Sequence, residues 1–154
     1  MQYFDPFSRQ FWAIIGAAVA CGALIGLERQ LRGKPAGIRT SILTCLSTTI
    51  FVHLGFAIGG PNSDPTRVLG QVVTGVGFLG AGVIVARHGV VHGVTTAAVI
   101  WSLAAIGATI ACGYIRAAFT LAIVTVLVLT LVDRLESHSR WFSRGVHAPG
   151  NRRE

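Results

Sequence analysis

The residues of this 154-residue chain that could do chemistry are few, and they gather at the ends of apolar runs. The densest group is Glu28 and Arg29, with Arg32 one turn further on, then Lys34, Arg39 and Thr40. A carboxylate among so many cations makes ion pairs rather than proton transfers. Two pairings are open. Glu28 can pair with Arg32 at i, i+4, worth under about 0.5 kcal/mol if exposed. Alternatively it is held between helices and paired with Arg39, which would fix the intervening loop. Lys34-Pro35-Ala36-Gly37 is turn chemistry, and Thr40 or Ser41 could cap a following helix.

The other candidates mostly dissolve on inspection. Gly75, Gly77 and Gly80 match the spacing G-x-G-x-x-G of a dinucleotide fingerprint. That chemistry needs a preceding strand and an acid about 20 positions on to hold the ribose. No carboxylate occurs between Asp64 and Asp133, so the fingerprint is rejected. His88 and His92 stand at i, i+4, a metal-binding spacing on a helix, but Gly89 and Gly93 argue for a turn and no third ligand is near. No metal site and no cofactor are expected. His53 lies inside an apolar run, where it should hydrogen-bond a neighbour such as Gln71 or a threonine. Cys21, Cys45 and Cys112 lack C-x-x-C spacing and read as small buried hydrophobes. No nucleophile–base pair remains, so no catalytic residue is assigned and no enzyme is expected.

The elements that must position these groups are membrane helices. Charged residues make up 12% of the chain against about 25% in soluble domains, and hydrophobic residues make up 52%. Five apolar runs, Phe11–Leu27, Ile42–Gly60, Val68–Ala86, Val94–Gly113 and Tyr114–Val132, approach the roughly 20 residues needed to cross the hydrocarbon. Soluble strands are about a third as long. The first run continues past Cys21 to Leu27, as a retained anchor does and a cleaved signal need not. The fold class is therefore all-α, a polytopic helical membrane protein of about five spans.

Orientation follows from the cations. With the N-terminus outside and the C-terminus cytoplasmic, ten of the thirteen lysines and arginines fall on the inner side. Net charge is +7, but the cations flank apolar runs rather than lining one face, so the lipid bilayer is the expected partner and nucleic acid is not. Small residues should govern helix packing. Gly22 and Gly26 form a small-x-x-x-small face, and Gly75, Gly77, Gly80 and Gly82 read first as a thin rod for close packing, second as a helix break.

Taken together, GLER at 26–29, GKPAGIRT at 33–40, GVGFLGAG at 75–82, GVTTAA at 93–98 and W-x-x-A-A-I-G at 101–107 resemble the MgtC/SapB family of bacterial inner-membrane proteins. The resemblance covers about residues 16 to 120. It adds Asp64 and Arg67, where the family tends to place an Asp and an Arg before the third span, and Thr95 and Thr96. It implies a multi-pass protein of the bacterial inner membrane tied to magnesium limitation and, in pathogens, to virulence through survival inside macrophages. Its best-known members restrain the ATP synthase, which makes that complex the implied membrane-protein partner. Those members carry an ACT-like C-terminal domain of about a hundred residues. The present sequence reads as a transmembrane domain at 1–132 and a basic cytoplasmic tail at 133–154, with no ACT-like domain.

Two functional classes follow. One is a regulatory or interaction protein that docks a partner. The other is a magnesium or other cation transporter or channel. Magnesium sites gather oxygen ligands, usually carboxylates. The acids in or near the spans are Glu28, Asp64 and Asp133, and the expected topology puts Asp64 across the bilayer from the other two. A homo-oligomer could still assemble a ring of Glu28. The regulatory reading is preferred.

Overall fold

A computed structural model describes residues 5–58, 64, 66–87 and 90–138. Among the described residues there are five helices: α1 (Arg9–Leu31), α2 (Ile38–Ile58), α3 (Thr66–Gly82), α4 (Val94–Ala111) and α5 (Ile115–His138). A short antiparallel hairpin, β1 (Val85–Arg87) with β2 (Val90–His92), joins α3 to α4. The protein is an all-α polytopic membrane fold. Helices α1, α2, α4 and α5 are long and apolar enough to cross a bilayer. Helix α3, at 17 residues, spans about 25 Å and sits at the lower limit for crossing.

The helix ends depart from the apolar runs in two places that matter. Helix α1 runs four residues beyond Leu27, so Glu28 and Arg29 lie in its last turn instead of in a loop. The third run was expected to stay helical to Ala86, but α3 stops at Gly82. Gly80 and Gly82 weaken the helix, and the β-branched stretch Val83-Ile84-Val85 prefers an extended backbone. Gly93 closes the hairpin with φ +90°, so near the Val83 carbonyl that no side chain fits. His92 is therefore a strand residue, and the i, i+4 helical spacing with His88 does not arise; His88 itself lies outside the described residues. The basic tail was drawn from Asp133. Helix α5 takes its first residues, and 139–154 lie outside the described residues.

Two helix ends stop by the same device. After α1, Gly33 (φ +62°) lets its own N–H donate to the Gln30 carbonyl and the Lys34 N–H donate to the Arg29 carbonyl. After α4, Gly113 (φ +87°) does the same with Ile110 while Tyr114 reaches Thr109. These are Schellman ends, in which glycine supplies the left-handed residue. They reverse the chain sharply enough to stack α1 on α2 and α4 on α5.

The core lies among α1, α2, α4 and α5, with Cys21, Ile25, Cys45, Leu103, Ile106 and Ile110 in one buried cluster. Cys112 was read as buried too, but it is exposed at the end of α4, while Cys21 and Cys45 are buried. Helix α3 lies to one side, packed on α4 through Val76, Ile100 and Ala104. Helix α1 packs closely on the backbone of α2 at two successive glycines. A Cβ on Gly22 would stand 2.7 Å from the Ile42 Cα, and one on Gly26 would stand 2.6 Å from the Ile38 Cα. Gly107 of α4 lies as closely against the Cys45 carbonyl of α2.

The glycine run of α3 behaves differently from its expectation. Gly75, Gly77 and Gly82 face open space, and Gly80 makes only ordinary contact, 3.7 Å to the Ala97 side chain. The close-packing glycines are thus in α1, α2 and α4. Helix α3 presents most of its glycines outward because it has neighbours on one flank only, and leucine at Gly77 should be tolerated by the isolated chain.

Candidate functional site

The most chemically loaded part of the molecule is the corner where α1 ends, the 32–37 turn runs and α4 begins. Glu28 is buried, and its Oε1 lies 2.7 Å from Arg32 Nε. Both sequence readings were half right. The carboxylate is held inside the fold, yet its partner is Arg32, while Arg39 stands exposed on α2. The reason is the extra helical turn: with residues 28–31 helical, Arg32 falls one turn above Glu28 on the same face. Neither carboxylate oxygen accepts an aligned hydrogen bond among the described residues, so the pair is held by charge rather than by hydrogen-bond geometry.

Arg29 is the group whose role the sequence hid. Its side chain is only 4% exposed. Nε donates to the Pro35 carbonyl at 3.4 Å, and Nη2 donates to Thr96 Oγ1 at 3.1 Å across a separation of 67 residues. One guanidinium therefore ties together α1, the turn and the first turn of α4. Thr96 is buried by this contact, and Thr95 is exposed beside it, so only one of the two threonines joins the cluster. The fork of a guanidinium suits two acceptors in different directions, which a lysine cannot match.

The turn itself is braced by side chains. Ala36 adopts φ +58°, a strained value for a residue with a Cβ, and its carbonyl accepts from the Ser41 hydroxyl at 3.0 Å. Gln30 Oε1 accepts the Ile38 N–H at 3.4 Å, satisfying one of the orphan donors that begin α2. Neither Thr40 nor Ser41 caps α2 as expected: Thr40 is exposed and its carbonyl accepts from Thr44, while Ser41 is buried against Gly26. Gln30 carried no pattern that would have marked it.

Asp64 and Arg67 belong to the other end. They lie beyond the C-terminus of α2, about 31 Å along a 21-residue helix from the Glu28 corner. Asp64 Oδ1 accepts from the Thr66 N–H at 2.9 Å and from the Thr66 hydroxyl at 2.7 Å, and Arg67 N–H donates to its carbonyl. Asp64 is thus the N-cap of α3. The Thr66 hydroxyl, then its N–H, holds the Asp64 carboxyl below the ordinary aspartate range. A depressed folded pKa means the cap is fully present above the unfolded value and is lost as pH falls through the folded one. Hydrogen exchange at the first turn of α3 should therefore rise only below about pH 4 in the native chain. In Asp64→Ala it should be fast at every pH. Equal protection in both would remove the cap.

Two polar contacts in the bundle were not anticipated as they stand. Thr49 Oγ1 lies 3.0 Å from the Gly107 carbonyl and 2.9 Å from that of Cys45, bridging α2 and α4 where Gly107 permits close approach. His53 faces the end of α4, with Nδ1 3.5 Å from the Ala111 carbonyl, rather than Gln71 or a threonine. Gln71 is exposed on α3.

The sequence is similar to those of known proteins. A match to the MgtC family covers residues 15–138. The chain is 45% identical over 129 residues to YhiD of Escherichia coli (strain K12), which is named a candidate magnesium transporter; the match takes in 79% of this chain and 60% of that protein. It is 40% identical over 119 residues to the protein MgtC of Brucella abortus (strain 2308), covering 77% and 48%. It is 38% identical over 125 residues to the protein SapB of Bacillus subtilis (strain 168), covering 76% and 53%. The chain thus spans about 60% or less of the length of these relatives. No solved structure matches. With the family match extending from the middle of α1 to the end of α5, this chain belongs to the MgtC family.

Proposed function

We propose that this membrane protein, tied to magnesium by its family, is a regulatory or interaction protein of the bacterial inner membrane and carries out no catalysis. Its α1–α2 corner docks a membrane-protein partner, and the family resemblance points to the ATP synthase. The N-terminus is outside and the C-terminus cytoplasmic, as the inward bias of the cations favours.

One observation carries this reading. Glu28 is the one acid buried among the described residues, and it already contacts Arg32 and shares its helical turn with the buried Arg29. A divalent cation arriving there would meet two guanidinium groups, whereas magnesium sites collect several oxygens and hold them without competing cations. The same corner offers an exposed Arg39 and Thr40 to a partner. The rival reading is a cation transporter, which the name given to YhiD suggests and a ring of Glu28 in an oligomer would serve.

Magnesium flux into proteoliposomes separates the two. No flux above protein-free vesicles is expected, in wild type or in Glu28→Ala. Flux that disappears in Glu28→Ala would establish transport in its place. In cells starved of magnesium, Glu28→Ala and Arg39→Ala should each lose complementation while still inserting; full complementation by both would end the docking role of this corner.

A further inference from the structure

Helices α2 and α3 touch at one end and part at the other. A Cβ on Gly55 would meet Val68 Cγ2 at 2.5 Å, whereas Gly75, two turns further along α3, has nothing within 4 Å. The wedge between them is a groove of about 490 Å³, lined chiefly by apolar groups such as Leu43, Phe51, Val72 and Leu79. Its α2 wall runs from Leu43 to Phe51, about 12 Å along the axis, and half the hydrocarbon thickness is about 15 Å. The groove is therefore about as long as one leaflet is thick, and it closes at Gly55 and Val68, toward the far end of α2.

Its mouth carries charge of one sign. Arg39, Leu43 and Ser47 form one i, i+4 stripe of α2, and Thr40, Thr44, Ser47 and Phe51 form the adjoining one, so Arg39 and Thr40 sit one turn above the groove's upper rim. Arg39 and Lys34 are exposed and make no ion pair among the described residues. Between Glu28 and Asp64 the sequence has no acid, and there is none again until Asp133. The walls of the groove, the hairpin and α4 carry no acid to neutralise that end, and Glu28 of the neighbouring corner is already paired with Arg32. The first-turn N–H groups of α2 add the positive end of a helix to the same spot.

We propose that this groove holds one acyl chain of an anionic phospholipid from the leaflet on the Arg39 side, with its phosphate at Arg39 and the first turn of α2. The polar side chains of the groove support the assignment. Thr44, Ser47 and Thr48 line the half nearer Arg39, toward the ester region of a lipid, and beyond them the lining is apolar except for Gln71. A helix from a second copy would fill the apolar part but would leave the cationic mouth unmatched. This site does not rest on the regulatory reading, because its test reads bound lipid rather than function.

Native mass spectrometry of the full chain, released from vesicles of equal phosphatidylglycerol and phosphatidylethanolamine, tests the site. One retained phosphatidylglycerol per chain is expected. Arg39→Gln should lower its preference over phosphatidylethanolamine about fivefold, the effect of one basic residue at an anionic surface. Gly75→Leu, which projects into the groove, should displace both lipids; Gly77→Leu, on the opposite face of α3, should displace neither. Equal lipid retention in all four proteins would overturn the site, as would a dimer that replaces the lipid-bound monomer. If Gly75→Leu does not fold, a phosphatidylglycerol with a photoreactive acyl chain decides on the wild-type protein. Crosslinks should fall within 43–51 and 68–79, and crosslinks confined to other segments would overturn the proposal.

Discussion

Replacing Gly26 with leucine should cost the bundle about 3 kcal/mol, the upper end of what overpacking does to a close-packed interior. The new Cβ would stand 2.6 Å from the Ile38 Cα and 2.9 Å from the Ser41 Cβ. A side-chain neighbour can rotate away; a backbone atom of α2 can move only by separating the two helices. That separation would also pull Gln30 from the Ile38 N–H and Ser41 from the Ala36 carbonyl, since both bonds cross the same interface or turn. In lipid there is little hydrophobic reward for re-closing a gap between helices, so van der Waals fit is the main term at stake. Gly77→Leu is the matching control, because the Cβ there meets nothing within 4 Å. Thermal unfolding of both variants in one detergent should show a large fall in Tm for Gly26→Leu and little change for Gly77→Leu. Equal falls would mean that glycine matters to these helices through propensity and not through approach.

Removing the Arg29 guanidinium should be nearly as damaging, for an electrostatic reason. Arg29→Ala deletes both the contact to the Pro35 carbonyl and the donor to the buried Thr96 hydroxyl. It also empties the volume of a side chain that is only 4% exposed. Losing two hydrogen bonds from a charged donor should cost about 3 kcal/mol together. Arg29→Lys keeps the charge but cannot reach two acceptors in a fixed fork, so it should recover only part of the loss. Thr96→Val removes one bond to a charged donor and should cost about 1.5 kcal/mol. A double-mutant cycle between Arg29→Ala and Thr96→Val measures the coupling directly. Additive effects would show that the α1–α4 bond contributes nothing of its own, and the role of Arg29 would then reduce to bracing the 32–37 turn. Glu28→Ala should be milder, because Arg32 is partly exposed and can return to water.

The division between what the chain announced and what folding decided runs along physical lines. Composition and run length were enough to define an all-α membrane protein, because crossing about 30 Å of hydrocarbon is a demand on local sequence alone. Turn chemistry was legible for the same reason: Gly33 and Gly113 end helices through bonds to residues three to five positions back. The signatures of the MgtC family were also in the sequence, and the family match bears them out.

Facing was not legible. Every residue in Phe11–Leu27 is apolar or glycine, so no polar stripe reported which side of α1 would meet α2. The same blindness made four glycines of α3 look like a packing face, when α3 ended at the margin of the bundle with only Gly80 of the four set against a neighbour. The partner of Glu28 depended on one further turn of helix, which decided between Arg32 and Arg39. The bond from Arg29 to Thr96 spans 67 residues and exists only because α1 and α4 are brought side by side. By itself the sequence determined which segments are helices in a membrane, since that depends on the free energy of each segment in lipid. Only the tertiary structure decided which groups meet, since that depends on the rotation of each helix about its axis, and a nearly uniform apolar surface leaves that rotation to packing.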